Sequence, residues 1–320
     1  MTDRAGTVPS PTPSRVVRPV FEWNLGRRSL ELGKRTLIMG VVNVTPDSFS
    51  DGGRFLDPDR AMEHAERLLE QGADIMDIGG ESTRPGAHVN AVASDNDWRV
   101  AVSAEEELKR VIPVISELKK RYSDAVISVD TYKAVVARAA IKAGAEIVND
   151  VSGLRWDPRM AETVAALRCG IVLMHMRGLP HEWRNLPPPE DVVSLVKGEL
   201  REWAEHAKAS GIPKENIVLD PGFGFGKNFE QNYPLVANFS QLHELGFPLL
   251  VGTSRKSFIG RTISRAGEKA APLERLFGTL ASETALILQG AHIVRTHDVK
   301  ASVEAARVAD AILAARSTFS

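Results

Sequence analysis

The sequence predicts an α/β fold of one domain, a (β/α)8 barrel with a short N-terminal extension. Two observations carry that expectation. Eight short apolar segments recur along the 320 residues, each followed by a stretch of helical pattern. Their apolar runs are near-continuous rather than alternating, as expected of strands buried on both faces. A third observation concerns position: run after run ends in a polar side chain. In a closed parallel barrel every strand's C-terminal end opens on one face, so these side chains would collect around a single site.

Residues 1–14, rich in Pro, Ser and Thr, read as a disordered tail. Residues 15–35 form an extension packing on the barrel, with Phe21–Trp23 and Ser29–Gly33 pairing as a hairpin that plugs its bottom. Residues 36–316 form the barrel. The strand Leu37–Val42 runs into Asn43, and a helix over Asp59–Glu70 stops at Gly72. Ile75–Ile78 leads into Gly79–Arg84. A helix over Ala104–Lys120 follows, with capping-box spacing from Ser103 to Glu106 and an internal Pro113. Val126–Val129 ends at Asp130, before a helix over Lys133–Lys142. Glu146–Val148 ends at Asn149, before a helix from Pro158 to Leu167. Ile171–Met174 ends at His175, Ile217–Leu219 at Asp220, and Leu249–Gly252 precedes Ser254-Arg255-Lys256. Ile293–Val294 ends at Arg295-Thr296-His297-Asp298, between helices over Leu273–Gln289 and Lys300–Ala314. Long loops at Asn43–Arg54, Gly79–Val102 and His175–Glu190 suit lids or binding segments, with tolerated surface insertion as the bland alternative; function is favoured for the first, and both readings stay open for Asn90–Trp98.

Composition narrows the function. With 43% apolar and 25% charged residues the chain reads as an ordinary globular enzyme. A net charge of −1 gives no field for nucleic acid or an anionic membrane, and no apolar run is long enough to cross a bilayer. No secretory h-region is expected at the start. The lone Cys169 reads as a small core residue; without an intrachain disulfide the chain suits a reducing cytoplasm. No histidine pattern suggests a metal hydrolase, and Ser254 and Ser257 lack a nucleophile elbow. His175, alone at its strand end, reads as structural.

Asp130, Asn149 and Asp220 would surround one cavity. Carboxylates and an amide at fixed positions suit the donor–acceptor edge of an aminopyrimidinone. The bland alternative, that each Asp caps the next helix, is reasonable for Asp130. It is weak for Asp220, because Pro221–Gly226 is a loop and not a helix start. That loop is no dinucleotide fingerprint either, since it opens no helix in a first βαβ unit. Its Phe223 and Phe225 could wall a planar ligand or be core. Asn43, Arg295 and His297 could surround a phosphoryl group, with Mg²⁺ carried by the phosphate oxygens. Surface pairing with Asp298 is the bland reading of Arg295 and His297. Arg255 and Lys256 are adjacent, so one of them faces away.

These motifs resemble the dihydropteroate synthases of folate biosynthesis. The resemblance lies in Met39–Gly53, Asp77–Gly86, Ser128–Thr131, Asn149–Gly153, Leu219–Gly222, Thr253–Lys256 and Arg295–Asp298, in family order from about Arg35 onward. It implies condensation of 6-hydroxymethyl-7,8-dihydropterin diphosphate with p-aminobenzoate to 7,8-dihydropteroate, by pyrophosphate loss and then arylamine attack. Asp130, Asn149, Met174, Asp220 and Lys256 would hold the pterin. Asn43, Arg295 and His297 would bind the diphosphate with Mg²⁺, Asn43 being the protein's metal ligand. Phe49, Asp51, Thr83, Arg84 and Pro85 would close over the site, and with Ser257 and Phe225 shape the p-aminobenzoate pocket. Asp51, Lys256, Arg295 and His297 would serve catalysis.

Two features depart from the family pattern: residues 15–35 precede its usual start, and Asn90–Trp98 lengthens the second loop. The Thr253–Ser264 segment carries no extra Phe-Gly of the sulfonamide-insensitive kind, so sulfonamides should inhibit. A methyltransferase of the same superfamily would share the pterin residues but not need the Ser254–Lys256 and Arg295–His297 anion site. A catalytically dead scaffold would have lost such positions. The Ala-, Leu- and Val-rich C-terminal helices suggest a homodimer.

Overall fold

The computed structural model describes residues 18–45, 58–81, 102–183, 185–265 and 270–318. An antiparallel hairpin comes first, β1 (Phe21–Asn24) and β2 (Ser29–Leu32), with Trp23 opposite Leu30. Eight parallel strands follow: β3 (Leu37–Asn43), β4 (Ile75–Gly79), β5 (Val126–Asp130), β6 (Ile147–Asp150), β7 (Gly170–Met174), β8 (Ile217–Asp220), β9 (Leu250–Val251) and β10 (Ile293–Thr296). Their order is β8-β7-β6-β5-β4-β3-β10-β9. The ring closes where Leu219 bridges Leu249 and donates its N–H to the Pro248 carbonyl (3.0 Å).

The helices α1 (Pro58–Glu70), α2 (Ala104–Arg121), α3 (Ala134–Ala143), α4 (Met160–Leu167), α5 (Val192–Ala209), α6 (Phe229–Ala237), α7 (Ser257–Ile263), α8 (Leu276–Leu288) and α9 (Val299–Thr318) alternate with the strands. Ser103 caps α2 as its spacing predicts, accepting the Glu106 N–H (3.1 Å), and the helix runs from acidic Glu105–Glu107 to basic Lys119–Arg121. Pro113 lies within it. Helix α4 starts at Met160, two residues later than expected. Asp157 Oδ1 accepts the Arg159 N–H (2.9 Å), which holds Asp157–Arg159 in a turn. Helix α8 likewise begins at Leu276, after a 3₁₀ turn over Pro272–Arg275. Among the described residues no helix is long and apolar enough to cross a membrane.

Strand alternation sorts the barrel into two cores. Ile38, Val42, Met76, Ile78, Ile127, Val129, Val148, Ile171 and Leu173 point outward and pack against the helices. Leu37, Met39, Ile75, Val126, Ile147, Val172, Val218, Leu250 and Ile293 point inward and pack with Trp23, Leu25 and Leu32 of the hairpin. The hairpin therefore plugs the bottom, as expected, and Trp23 Nε1 donates to the Asn216 carbonyl (2.8 Å). The plug is close-fitting: a Cβ on Gly170 would lie 2.5 Å from Leu25 Cδ2.

Candidate active site

Two positions on from each residue of the inner apolar layer, the same alternation brings the next side chain inward. Asp77 follows Ile75, Ser128 follows Val126, Asn149 follows Ile147, Met174 follows Val172, Asp220 follows Val218 and Arg295 follows Ile293. The apolar floor thus gives way to a polar layer at the barrel's C-terminal end. One network joins four strands there. Arg295 Nε donates to Asp77 Oδ2 (2.6 Å), and its Nη2 to Asp130 Oδ2 (2.7 Å). Asn149 Nδ2 donates to the same Asp77 Oδ2 (3.0 Å). Burial pushes Asp130 up to about 7; Arg295 opposes the rise and Asp77 adds to it. Burial works against the Arg295 charge, but Asp77 and Asp130 outweigh it and hold the guanidinium firmly protonated.

Asp130 is not a helix cap. The N-cap of α3 is Lys133, and the Ala134 N–H goes to Asp157 Oδ2 (2.9 Å). Across the ring, Asp220 Oδ1 accepts the Gly222 N–H (2.7 Å), and burial pushes this carboxyl up to about 6 against the pull of Lys256 and Arg295. Gly222 has φ +62, and a Cβ there would lie 1.9 Å from the His175 carbonyl oxygen, so the turn demands glycine. Lys227 ties this loop down, donating to the Gly222 and Phe225 carbonyls (2.8 and 3.2 Å). Burial, opposed by Asp220, pushes Lys227 down to about 7. Phe223 is core, whereas Phe225 carries the Lys256 ammonium 3.8 Å above its ring.

At strands β9 and β10, His297 Nδ1 lies 3.0 Å from Ser254 Oγ, which also accepts the His297 backbone N–H (3.1 Å). Burial, reinforced by Arg295, Arg255 and Lys256, pushes the imidazole down to about 3, so it is neutral. Asp298 pairs with Arg255 (2.6 and 2.9 Å), not with Arg295 or His297. Arg255 is thus the member of its pair that turns away. Ser257 opens α7, and Asn43 ends β3 in register with Gly79, itself opposite Asp130. His175 is structural as expected: buried, stacked on Trp203, with Nε2 2.9 Å from Glu199. Cys169 is buried too, its thiol pushed up to about 12.

The expected site residues Phe49, Asp51, Thr83, Arg84 and Pro85, and the tail 1–14, lie outside the described residues. Among the described ones, Asp130 and Arg295 meet directly, and Asn149 joins them through Asp77. Asp220 and Lys256 share their field, and His297 abuts them through Ser254. Asp77 and Lys227 were not foreseen. Asp77 sits inside its strand rather than at the end, yet its parity with Ile75 would have found it. Lys227 looks like an ordinary loop lysine until the fold buries it. No group of three or more His, Cys, Asp or Glu that could hold a metal is present among the described residues.

A parallel barrel whose mouth carries carboxylates and an amide, with cations beside them, is of the class of barrel enzymes and suits a ligand with a flat, amine-bearing ring. The chain matches the model of the family described as pterin binding enzyme over residues 39–297. It is 43% identical to the dihydropteroate synthase of Synechocystis over 94% of this chain and 96% of that one. It is 45% identical to the Escherichia coli dihydropteroate synthase over 87% and 92%. Among solved structures, the Xanthomonas albilineans dihydropteroate synthase with 4-aminobenzoic acid superposes with a TM-score of 0.81 at 44% identity, covering 92% of this chain and 99% of that one. The Yersinia pestis dihydropteroate synthase in a sulfonamide drug complex gives 0.82 at 41% identity, covering 92% and 100%. The chain belongs to the pterin-binding enzyme family that includes the dihydropteroate synthases.

Proposed function

We propose that this protein is a transferase that condenses 6-hydroxymethyl-7,8-dihydropterin diphosphate with p-aminobenzoate, giving 7,8-dihydropteroate and pyrophosphate in folate biosynthesis. The observation that carries the reading is the Asp130–Arg295–Asp77–Asn149 network, buried at Asp77 and Asn149 and half-buried at Asp130 and Arg295, in the same barrel mouth as Asp220. In this reading Asp220, Asn149 and Asp130 answer the amino and ring N–H groups of the pterin. Met174 packs on the ring, and Lys256 meets its acceptor side. The X. albilineans relative has been solved with 7,8-dihydropteroate, the product of this reaction.

Chemistry follows from charge. The C–O bond to the diphosphate breaks first, and the electron pair leaves with pyrophosphate. The carboxylates Asp130 and Asp220 favour the electron-poor pterin methylene that remains. The arylamine nitrogen, already a neutral nucleophile, then attacks that carbon and loses a proton. Ser254 Oγ, accepting the His297 backbone N–H, has its own hydrogen to give to Nδ1; Nε2–H is then the donor offered to the leaving group. Arg295 adds positive charge beside it. Asn43, at the end of β3, would be the protein's ligand for a Mg²⁺ that comes with the diphosphate, and the ion would supply neutralisation of leaving-group charge. Phe225 and Ser257 border the p-aminobenzoate side, where sulfonamides compete.

The reading places the enzyme in the cytoplasm, where the buried Cys169 stays reduced. It also makes the enzyme a homodimer, through exposed Leu273 in the 3₁₀ turn before α8 and exposed Phe277 in the first turn of α8. Pyrophosphate release from the pterin diphosphate with Mg²⁺, with and without p-aminobenzoate, tests the reaction. Release coupled to dihydropteroate formation in the wild type, and lost in Lys256→Ala, is expected. Pterin binding without release would move the protein to the methyltransferase or scaffold readings.

A further inference from the structure

We infer that Asp77 is a positioning residue that fixes which side of the Asn149 amide, and which edge of the Arg295 guanidinium, the pterin meets; the inference rests on the function proposed above. Asp77 is fully buried in the middle of β4, below the mouth, so it acts through its neighbours. A single oxygen, Oδ2, accepts from both Asn149 Nδ2 (3.0 Å) and Arg295 Nε (2.6 Å).

Each bond removes an ambiguity. An Asn amide can offer a ligand either its donors or its acceptor. With Nδ2 held by the carboxylate, Oδ1 is left as the group for a ligand's ring N–H or amino hydrogen. A guanidinium can turn about its last torsions. With Nε on Asp77 and Nη2 on Asp130, that edge is taken, and Nη1 and the flat faces are left for the substrate. A neutral amide at position 77 would put its NH2 where Oδ1 now stands and leave one uncharged oxygen to hold both donors, so the hold on the Asn149 amide and on the Arg295 edge weakens.

The test uses the full chain and 7,8-dihydropteroate as calorimetric probe. Asp77→Asn is expected to weaken dihydropteroate binding about tenfold and to raise KM for the pterin diphosphate similarly, with KM for p-aminobenzoate within about twofold of wild type. In a double-mutant cycle, Asp77→Asn on top of Asn149→Ala is expected to cost clearly less than Asp77→Asn does alone, because one of the two groups it orients is already gone. Wild-type affinity in Asp77→Asn, losses that multiply in the double mutant, or both KM values rising alike would overturn the inference. A wild type that fails to bind dihydropteroate would instead sink the proposed function. Circular dichroism and thermal melts on each variant separate a lost fold from a lost orientation.

Discussion

Asp220 illustrates at residue scale how the site works against the fold that carries it. Burial raises its pKa to about 6, from about 3.9 in an unfolded chain. An acid whose pKa rises on folding weighs against the folded state once the unfolded chain can ionise it. The penalty is absent below about pH 4, grows as pH climbs from about 4 to 6, and stays constant above that. Asp220→Asn keeps an oxygen for the Gly222 N–H and removes the charge. It is expected to raise the unfolding free energy at neutral pH by about 1–3 kcal/mol, with little change near pH 4, while pterin binding falls. Urea melts at the two pH values check this; an equal shift at both would assign the effect to packing. The strand-end residues Asp130, Asn149, Asp220 and Arg295 were legible because strand ends open on one face. Their partnerships were not: no local pattern links Asp77 to Arg295, 218 positions apart in the chain. The same holds for Lys227, whose low pKa is a product of tertiary burial.

At the scale of elements, all eight barrel strands stood out in the sequence as short apolar runs, because burial on both faces favours apolar side chains and leaves only single polar residues such as Asp77 and Ser128 within them. Helix starts were less legible at α4 and α8, where a turn or a 3₁₀ segment takes the first residues. The β1–β2 hairpin could be read as a plug, but not how closely it fits. Trp23 closes the inward apolar layer beneath the polar one and bonds the Asn216 carbonyl. Trp23→Ala is expected to cost about 3–5 kcal/mol of stability from the cavity it leaves. Because the hairpin lies at the opposite end of the barrel from Asp220, the folded fraction should keep its KM for both substrates. Denaturant unfolding and steady-state kinetics on one preparation measure both. A large KM change with stability intact would mean that the plug shapes the site.

At the scale of the whole molecule, the two most exposed large apolar side chains among the described residues lie close in sequence, one just before α8 and one in its first turn. Leu273 and Phe277 are 74% and 83% exposed, far more than large apolar residues ordinarily retain within a fold. They sit beside α7: a Cβ on Gly278 would meet Ile259 and Ile263, and Ile263 is itself exposed. Exposed Ile263, Leu273 and Phe277 stand on α7, the 3₁₀ turn and α8, three elements that pack together, and such apolar exposure is of the kind that marks a protein interface. We predict that a second copy of the chain covers it about a two-fold axis. Sedimentation velocity at micromolar concentration should then find a species of twice the 34.9 kDa chain. Phe277→Asp with Leu273→Asp should give the single chain. Neither residue bonds to the mouth, so the separated chains should retain most of the wild-type pterin affinity. A wild type that sediments as one chain would overturn the dimer. Monomeric variants that lose pterin binding would mean instead that the contact stiffens α7, whose first turn follows Lys256 and begins with Ser257.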